Sequence, residues 1–241
     1  MGIEVSGPKI LFSWGSFHIT ETVVNGWIIM AVIAFLCIFL TRGLRVRNPG
    51  KRQIVAEKLV LTVTKMVRDG MGEKYLSFAP YIATLFAFSV LGSLSSLLGM
   101  RPMTGDLSTT FGWALMTFVL VQGNNMRVNG VGGWLKSFVQ PVPVMLPMNI
   151  IGEIANPISM AFRHFGNIAS GIVISKLIYS ALGGLSSMVL SWIPVEFIRE
   201  IPILQIGIPA VLSLYFDLFT GFLQAYIFCM LTMSFVAGVE E

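Results

Sequence analysis

Two ionisable residues stand inside apolar runs that leave few ways to explain them: Arg163 in SMAFRHFGNIASGIVISKLIYS and Asp217 in LSLYFDLFTGFLQAYIF. An isolated cation at mid-bilayer costs about 2.5–3.5 kcal/mol on insertion scales, so such an arginine is either a marker at a membrane edge or a functional group. At helical spacing Glu153, Asn156, Met160, Arg163, Asn167 and Ser170 fall within an arc of roughly 100°, which puts five polar side chains on one face. Ser213, Asp217, Thr220 and Gln224 repeat the pattern, with one acid among three neutral polar groups. Such stripes must face protein or water. Either they pair with each other and only fix packing, or they line an ion path, as intramembrane ionisable groups commonly do. Packing and path stand level for Asn167, Ser170, Ser213 and Thr220, whereas the charges of Arg163 and Asp217 favour a path. Glu153, near the start of its helix, suits either the helix dipole or an access channel. Lys176 lies off the arc, where its long stem can snorkel to headgroups. His164 points about 100° from Arg163, which favours a packing role.

The elements that hold these residues are membrane helices. Of 241 residues, 55% are hydrophobic and only 12% charged, which excludes an ordinary soluble domain. Crossing the hydrocarbon core takes about 20 mostly apolar residues, and five windows qualify: Thr22 to Thr41, Pro80 to Met100, a shorter Leu107 to Gln122, Met148 to Leu182, and Ile203 to Val236. The last two follow prolines and are long enough to require tilting or lying partly in the interface. Between the first two spans, Val55, Leu59, Thr62, Val63 and Met66 recur at helical spacing opposite Lys51, Lys58, Lys65 and Arg68, which predicts an amphipathic helix on the membrane surface. A helix packed in a core is the alternative. The expected fold class is therefore an all-α integral membrane protein of five inserted helices plus this interfacial one. A single membrane domain over 1–241 is expected: an outer segment 1–20, a loop 42–75 expected on the cytoplasmic side, and a helix pair 148–236 that carries the candidate ion-translocating path.

Nine of the basic residues lie between Arg42 and Lys74, and the loop after the third span adds Arg127 and Lys136. The positive-inside rule then places the N-terminus outside and the C-terminus in the cytoplasm. The first twenty residues lack the basic, apolar and small-residue order of a removable signal. Cys37 and Cys229 each sit in an apolar run, where lipid burial explains them better than a disulfide or metal site. No Walker-type phosphate loop, HExxH or GxSxG occurs, and with only His18 and His164 the chain is poorly supplied for histidine-based catalysis. No cofactor, metal or nucleic acid is expected.

The segment NPISMAFRHFGNIASG resembles the helix-five signature of subunit a of the F-type ATP synthase, usually RPISLxxRLFGNxxAG. Pro157, Ser159, Arg163, Phe165, Gly166, Asn167 and Gly171 are in register. FLQAYIFCMLT resembles that family's terminal LQAFIFxxLT, with Gln224 on its glutamine, and MTGDLSTT its PTADLNxT, with Asp106 on the aspartate. The likeness covers about residues 20 to 236. Two positions depart from it: His164 stands where leucine is usual, and Ile172 where many members carry Glu or His. The partner position in the last helix, often His or Glu, is Asp217.

The resemblance implies a stator beside a rotating ring of c subunits, each with a membrane-buried carboxylate. Ions would reach the ring by one half-channel and leave by another. Arg163 would face the ring carboxylates, with Asp217, Gln224, Asn167, Ser170, Ser213, Thr220, Glu153 and Asp106 along the half-channels. It also implies peripheral-stalk b subunits and, indirectly, the catalytic head as partners. The setting would be a bacterial plasma membrane, and this subunit would have no nucleotide site of its own. Proton is the default ion and sodium the alternative. Two other readings are an ion-coupled secondary transporter using Arg163 and Asp217, against which the five spans offer no obvious halves, and an intramembrane enzyme, against which the nucleophile constellations are missing.

Overall fold

The computed structural model describes residues 9–14, 17–140, 142–190 and 214–238. A short hairpin, β1 (Ile10–Trp14) and β2 (Phe17–Thr20), pairs Ser13 with His18 and Trp14 with Phe17 and runs directly into α1 (Glu21–Thr41). It gives structure to a segment whose sequence suggested none. The helices α2 (Lys51–Met71), α3 (Ala79–Leu94), α4 (Leu107–Val139), α5 (Leu146–Leu190) and α6 (Gly221–Ala237) follow, so the described architecture is all-α apart from the hairpin.

Side-chain contacts fix how the helices alternate. Asn25 near the start of α1 donates to Ser95 Oγ at 2.9 Å and to the Arg101 carbonyl at 2.8 Å, and Thr22 donates to Asp106 at 3.1 Å. The start of α1, the end of α3 and the start of α4 therefore share one end of the bundle. At the opposite end Asn124 of α4 donates to Tyr75 Oη at 3.1 Å and to the Val236 carbonyl at 2.9 Å, which joins α4 to the 3-10 turn just before α3 and to the finish of α6. The long α5 has Glu153 at this second end and Ile168 and Ile172 beside Gly105 at the first. The core between them holds Ile82, Leu85, Ala114, Met160, Phe228 and Met233.

Four of the described helical stretches are long and apolar enough to cross a membrane: Glu21–Thr41, Glu73–Leu98, Pro143–Ser186 and Leu218–Ala237. The expected third span, Leu107 to Gln122, is not among them. Its sixteen residues rise only about 24 Å, short of a hydrocarbon core of about 30 Å, before GNNMR adds polarity. It is nonetheless helical and packed into the bundle, with Thr117 Oγ1 lying 3.4 Å from Thr232 Oγ1 of α6. The second span ends its regular helix at Leu94 and finishes as a 3-10 turn, Ser95–Leu98. The fourth is longer than expected: α5 has 45 residues, about 68 Å, so it must be steeply inclined to a bilayer normal or run on beyond the hydrocarbon.

The amphipathic pattern of α2 meets the bundle over only half of the helix. Val67 and Met71 are buried, with Val63 and Met66 packed against the same core, while Val55 and Leu59 are about half exposed. The apolar stripe slips because a helix turns 100° per residue, so over six turns one face divides between a protein contact and an outward surface. The start of the fifth span, from Ile203, lies outside the described residues.

Candidate functional site

Burial of one residue decides where its neighbour points. His164 is 0% exposed. Its Nε2 lies 3.4 Å from Ser89 Oγ, and its ring meets Trp113 and Phe228 edge-to-face with centroids 5.7 and 5.4 Å away. Consecutive helical side chains diverge by about 100°, so anchoring His164 in this aromatic cage turns Arg163 outward. Arg163 is exposed and, among the described residues, makes no hydrogen bond or ion pair. The packing role expected for His164 is what its surroundings show.

The two polar stripes meet at one point. Asn167, one turn after Arg163, donates through Nδ2 to Gln224 Oε1 at 2.5 Å, and Gln224 is 2% exposed. Ser170 turns back to its own helix and donates to the Asn167 carbonyl at 3.1 Å. The rest of the second stripe is not the regular α-helical face assumed from spacing. Leu214–Thr220 is a π-helix, whose wider turn rotates Asp217 and Thr220 relative to Gln224 by less than 100° per residue. The α-helix resumes only at Gly221. Ser213 lies outside the described residues.

Toward the first end, Asp106 serves as the N-cap of α4: its Oδ1 accepts from Ser108 N at 3.3 Å and Ser108 Oγ at 2.9 Å, and its Oδ2 from Thr22. Those bonds satisfy an orphan amide and two hydroxyl donors at a helix start. A small polar gap, lined by Ser93, Ser96, Asn167 and Ile172 among others, lies beside the Asn167 and Gln224 pair.

Toward the second end a cleft of about 570 Å³ opens between α4 and α5. Its walls include Asn125, Asn149, Glu153, Asn156, Pro157 and Ser234. Glu153 is the single carboxylate among them, and its Oε2 accepts from Gln122 Nε2 at 2.7 Å. Gln122 Oε1 in turn accepts from Trp134 Nε1 at 2.7 Å. Pro157 sits inside α5 without ending it, and its missing N–H leaves the Glu153 carbonyl without its helical donor. This adds a backbone acceptor to the wall. Met160, on the same arc as Glu153 and Arg163, is 3% exposed and belongs to the core.

The arrangement is thus an outward-facing guanidinium at intermediate depth, a polar cleft on one side of it along α5 and an amide pair on the other. Sequence spacing named Arg163, Glu153, Asn167 and Gln224 but not Gln122, Trp134 or Ser89. Nothing local marks those three, because each acts on a residue at least twelve positions away.

Comparison with known proteins agrees over nearly the whole length. The ATP synthase A chain family matches residues 23–237. The chain is 33% identical over 234 residues to ATP synthase subunit a 2 of Acaryochloris marina, covering 96% of this chain and 90% of the relative. It is 35% identical over 230 residues to ATP synthase subunit a 2 of a Bradyrhizobium species, covering 95% and 92%. A third relative, ATP synthase subunit a, sodium ion specific, of Propionigenium modestum, is 30% identical over 92% of this chain and 74% of its own. The match to the family and the extent of these likenesses show that this chain belongs to the ATP synthase A chain family.

Proposed function

We propose that this chain is the ion-translocating stator subunit of a rotary F-type ATP synthase and that Arg163 is the charge its rotor works against. The observation that carries the reading is Arg163 itself: an exposed guanidinium without a partner among the described residues, on an apolar helix of a family named for ATP synthase. A cation in that position calls for a negative partner. A carboxylate on a passing ring of c subunits supplies it, and at 4 Å with an effective dielectric near 20 the attraction is about 4 kcal/mol. The ring carboxylate then releases its ion, while the same fixed charge repels cations that would leak straight across. Arginine suits the task because it cannot be deprotonated in a protein.

In this reading the cleft holding Glu153 and Asn156 is the half-channel at the end where the basic loops Arg42–Lys74 and Arg127–Lys136 gather. By the positive-inside rule that end is cytoplasmic, with the N-terminus outside, in a bacterial plasma membrane. The other half-channel approaches past Asp106, Thr220, Ser170 and the Asn167 and Gln224 pair, with Asp217 as its main ionisable group. Residues 42–75 form the cytoplasmic loop and 148–236 the translocating helix pair of one membrane domain. Peripheral-stalk b subunits and the catalytic head complete the stator connection. The secondary-transporter alternative is not favoured by membership of this family. Arg163→Ala tests the reading: in the assembled complex reconstituted into vesicles, ATP synthesis under an imposed potential falls to background while the complex assembles in normal amount. Near-normal synthesis would refute it.

A further inference from the structure

We propose that Trp134 is a positioning residue for Glu153, acting through Gln122, and so controls ion passage through the cleft between α4 and α5. The inference rests on the half-channel reading of that cleft. In a straight helix Trp134 would lie about 18 Å along the axis from Gln122, twelve residues earlier. Their side chains are instead 2.7 Å apart. The chain turns back at Gly130, whose φ of 68° and ψ of 169° are open to glycine and strained for other residues.

The returning segment, residues 131–139, is held at both ends. Trp134 is tied to Gln122 and stacks edge-to-face on Phe138 with centroids 5.2 Å apart, and Asn149 of α5 donates to the carbonyls of Phe138 and Gln140, both at 2.9 Å. Ser137, Phe138 and Gln140 thereby form part of the cleft wall opposite Glu153. The arm is built onto the cleft.

The chemistry of the chain has a direction. An indole nitrogen only donates, so Gln122 must turn its carbonyl oxygen toward Trp134 and its NH₂ toward Glu153. A carboxylate oxygen then accepts at 2.7 Å, and Oε1 of Glu153 takes no hydrogen bond among the described residues. One oxygen is held and the other is offered to the cleft. Without the indole N–H, Gln122 can flip and present oxygen to oxygen, and the carboxylate loses its fixed orientation. Trp134 touches no ion on this account; it decides which way an amide faces.

The test measures ATP synthesis by the assembled complex in vesicles for Trp134→Phe, Trp134→His, Glu153→Gln and the double variant Trp134→Phe with Glu153→Gln. Trp134→Phe keeps most of the ring and removes the donor, and is expected to slow synthesis roughly five-fold or more, in the range of couplings between residues of one hydrogen-bond network. Trp134→His is smaller but keeps a ring N–H, and is expected to recover part of the rate. A packing role predicts the opposite order, Phe better than His, and would overturn the inference. In the Glu153→Gln background Trp134→Phe is expected to change the rate by less than about two-fold, because the group it positions is gone. A full five-fold further loss there would also overturn it while leaving the half-channel reading standing. A wild-type rate for Glu153→Gln alone would remove the half-channel role of Glu153, and this inference with it.

Discussion

A close approach between α3 and α6 sets up a test of how the site is held together. A Cβ placed on Gly221, the first residue of α6, would stand 2.7 Å from Ser93 Cβ of α3 and 3.4 Å from its Oγ. Non-bonded carbons settle at about 3.5–4.0 Å, so Gly221→Ala forces the two helices apart by about 1 Å at this point. The obstacle is a Cβ fixed to a helix backbone and cannot swing aside. Gln224 lies one turn further along α6, and its bond from Asn167 of α5, at 2.5 Å, has no slack to absorb a shift of α6 by about 1 Å. Overpacking of this kind costs about 1–3 kcal/mol. The lost interhelical bond adds about 0.6 kcal/mol, the usual worth of such a bond inside a membrane protein. Gly221→Ala should therefore lower the stability of the subunit by about 2–4 kcal/mol, read as earlier loss of this chain from the detergent-purified complex during a heating series. Adding Ser93→Gly removes the opposing Cβ and should return the heating profile most of the way to wild type. A single variant as stable as wild type, or a double variant no better than the single, would refute the close contact between α3 and α6.

The backbone turn and the polar stripes can be probed in the same way. Gly130→Ala places a side chain at φ 68°, ψ 169°, costs about 1–3 kcal/mol, and should expose residues 131–139 to limited proteolysis faster than in wild type. For Asp217, the proposed acid of the second half-channel, Asp217→Asn should slow passive ion conduction through vesicles stripped of the catalytic head, and Asp217→Glu should conduct better than Asn. The opposite order, Asn tolerated and Glu disruptive, would mean that the residue only packs. Gln224→Leu should destabilise by about 0.6 kcal/mol through its lost bond with Asn167, and Asn167→Leu in addition should cost little more, because the pair is already broken; additive losses in the heating series would show that each amide has another role.

Much of this protein is written in local patterns. Apolar runs of membrane length identify α1, α3, α5 and α6, because a bilayer selects length and hydropathy before any tertiary contact forms. The 100° helical step separates His164 from Arg163 and places Glu153, Asn156, Arg163 and Asn167 along one side of α5, since that angle depends on backbone geometry alone. The same step does not hold along the backbone of Leu214–Thr220, because nothing in LSLYFDLFT announces that hydrogen bonding slips to the π pattern there. Composition does not choose between α and π turns when packing around the helix can tip the balance. The step also says nothing about which side of a face finds a partner: Met160 shares the polar arc yet packs in the core, and Val55 shares the apolar stripe of α2 yet stays half exposed. The contacts that only the tertiary structure decides span long separations in the chain, Gln122 to Glu153, Asn167 to Gln224, Ser93 to Gly221 and Ser89 to His164. Trp134 shows the distinction at its sharpest. Its indole is twelve residues from Gln122 and on any unbroken helix would be out of reach. One glycine with a positive φ reverses the chain, and that reversal, rather than any periodicity, brings the donor to the amide that holds Glu153.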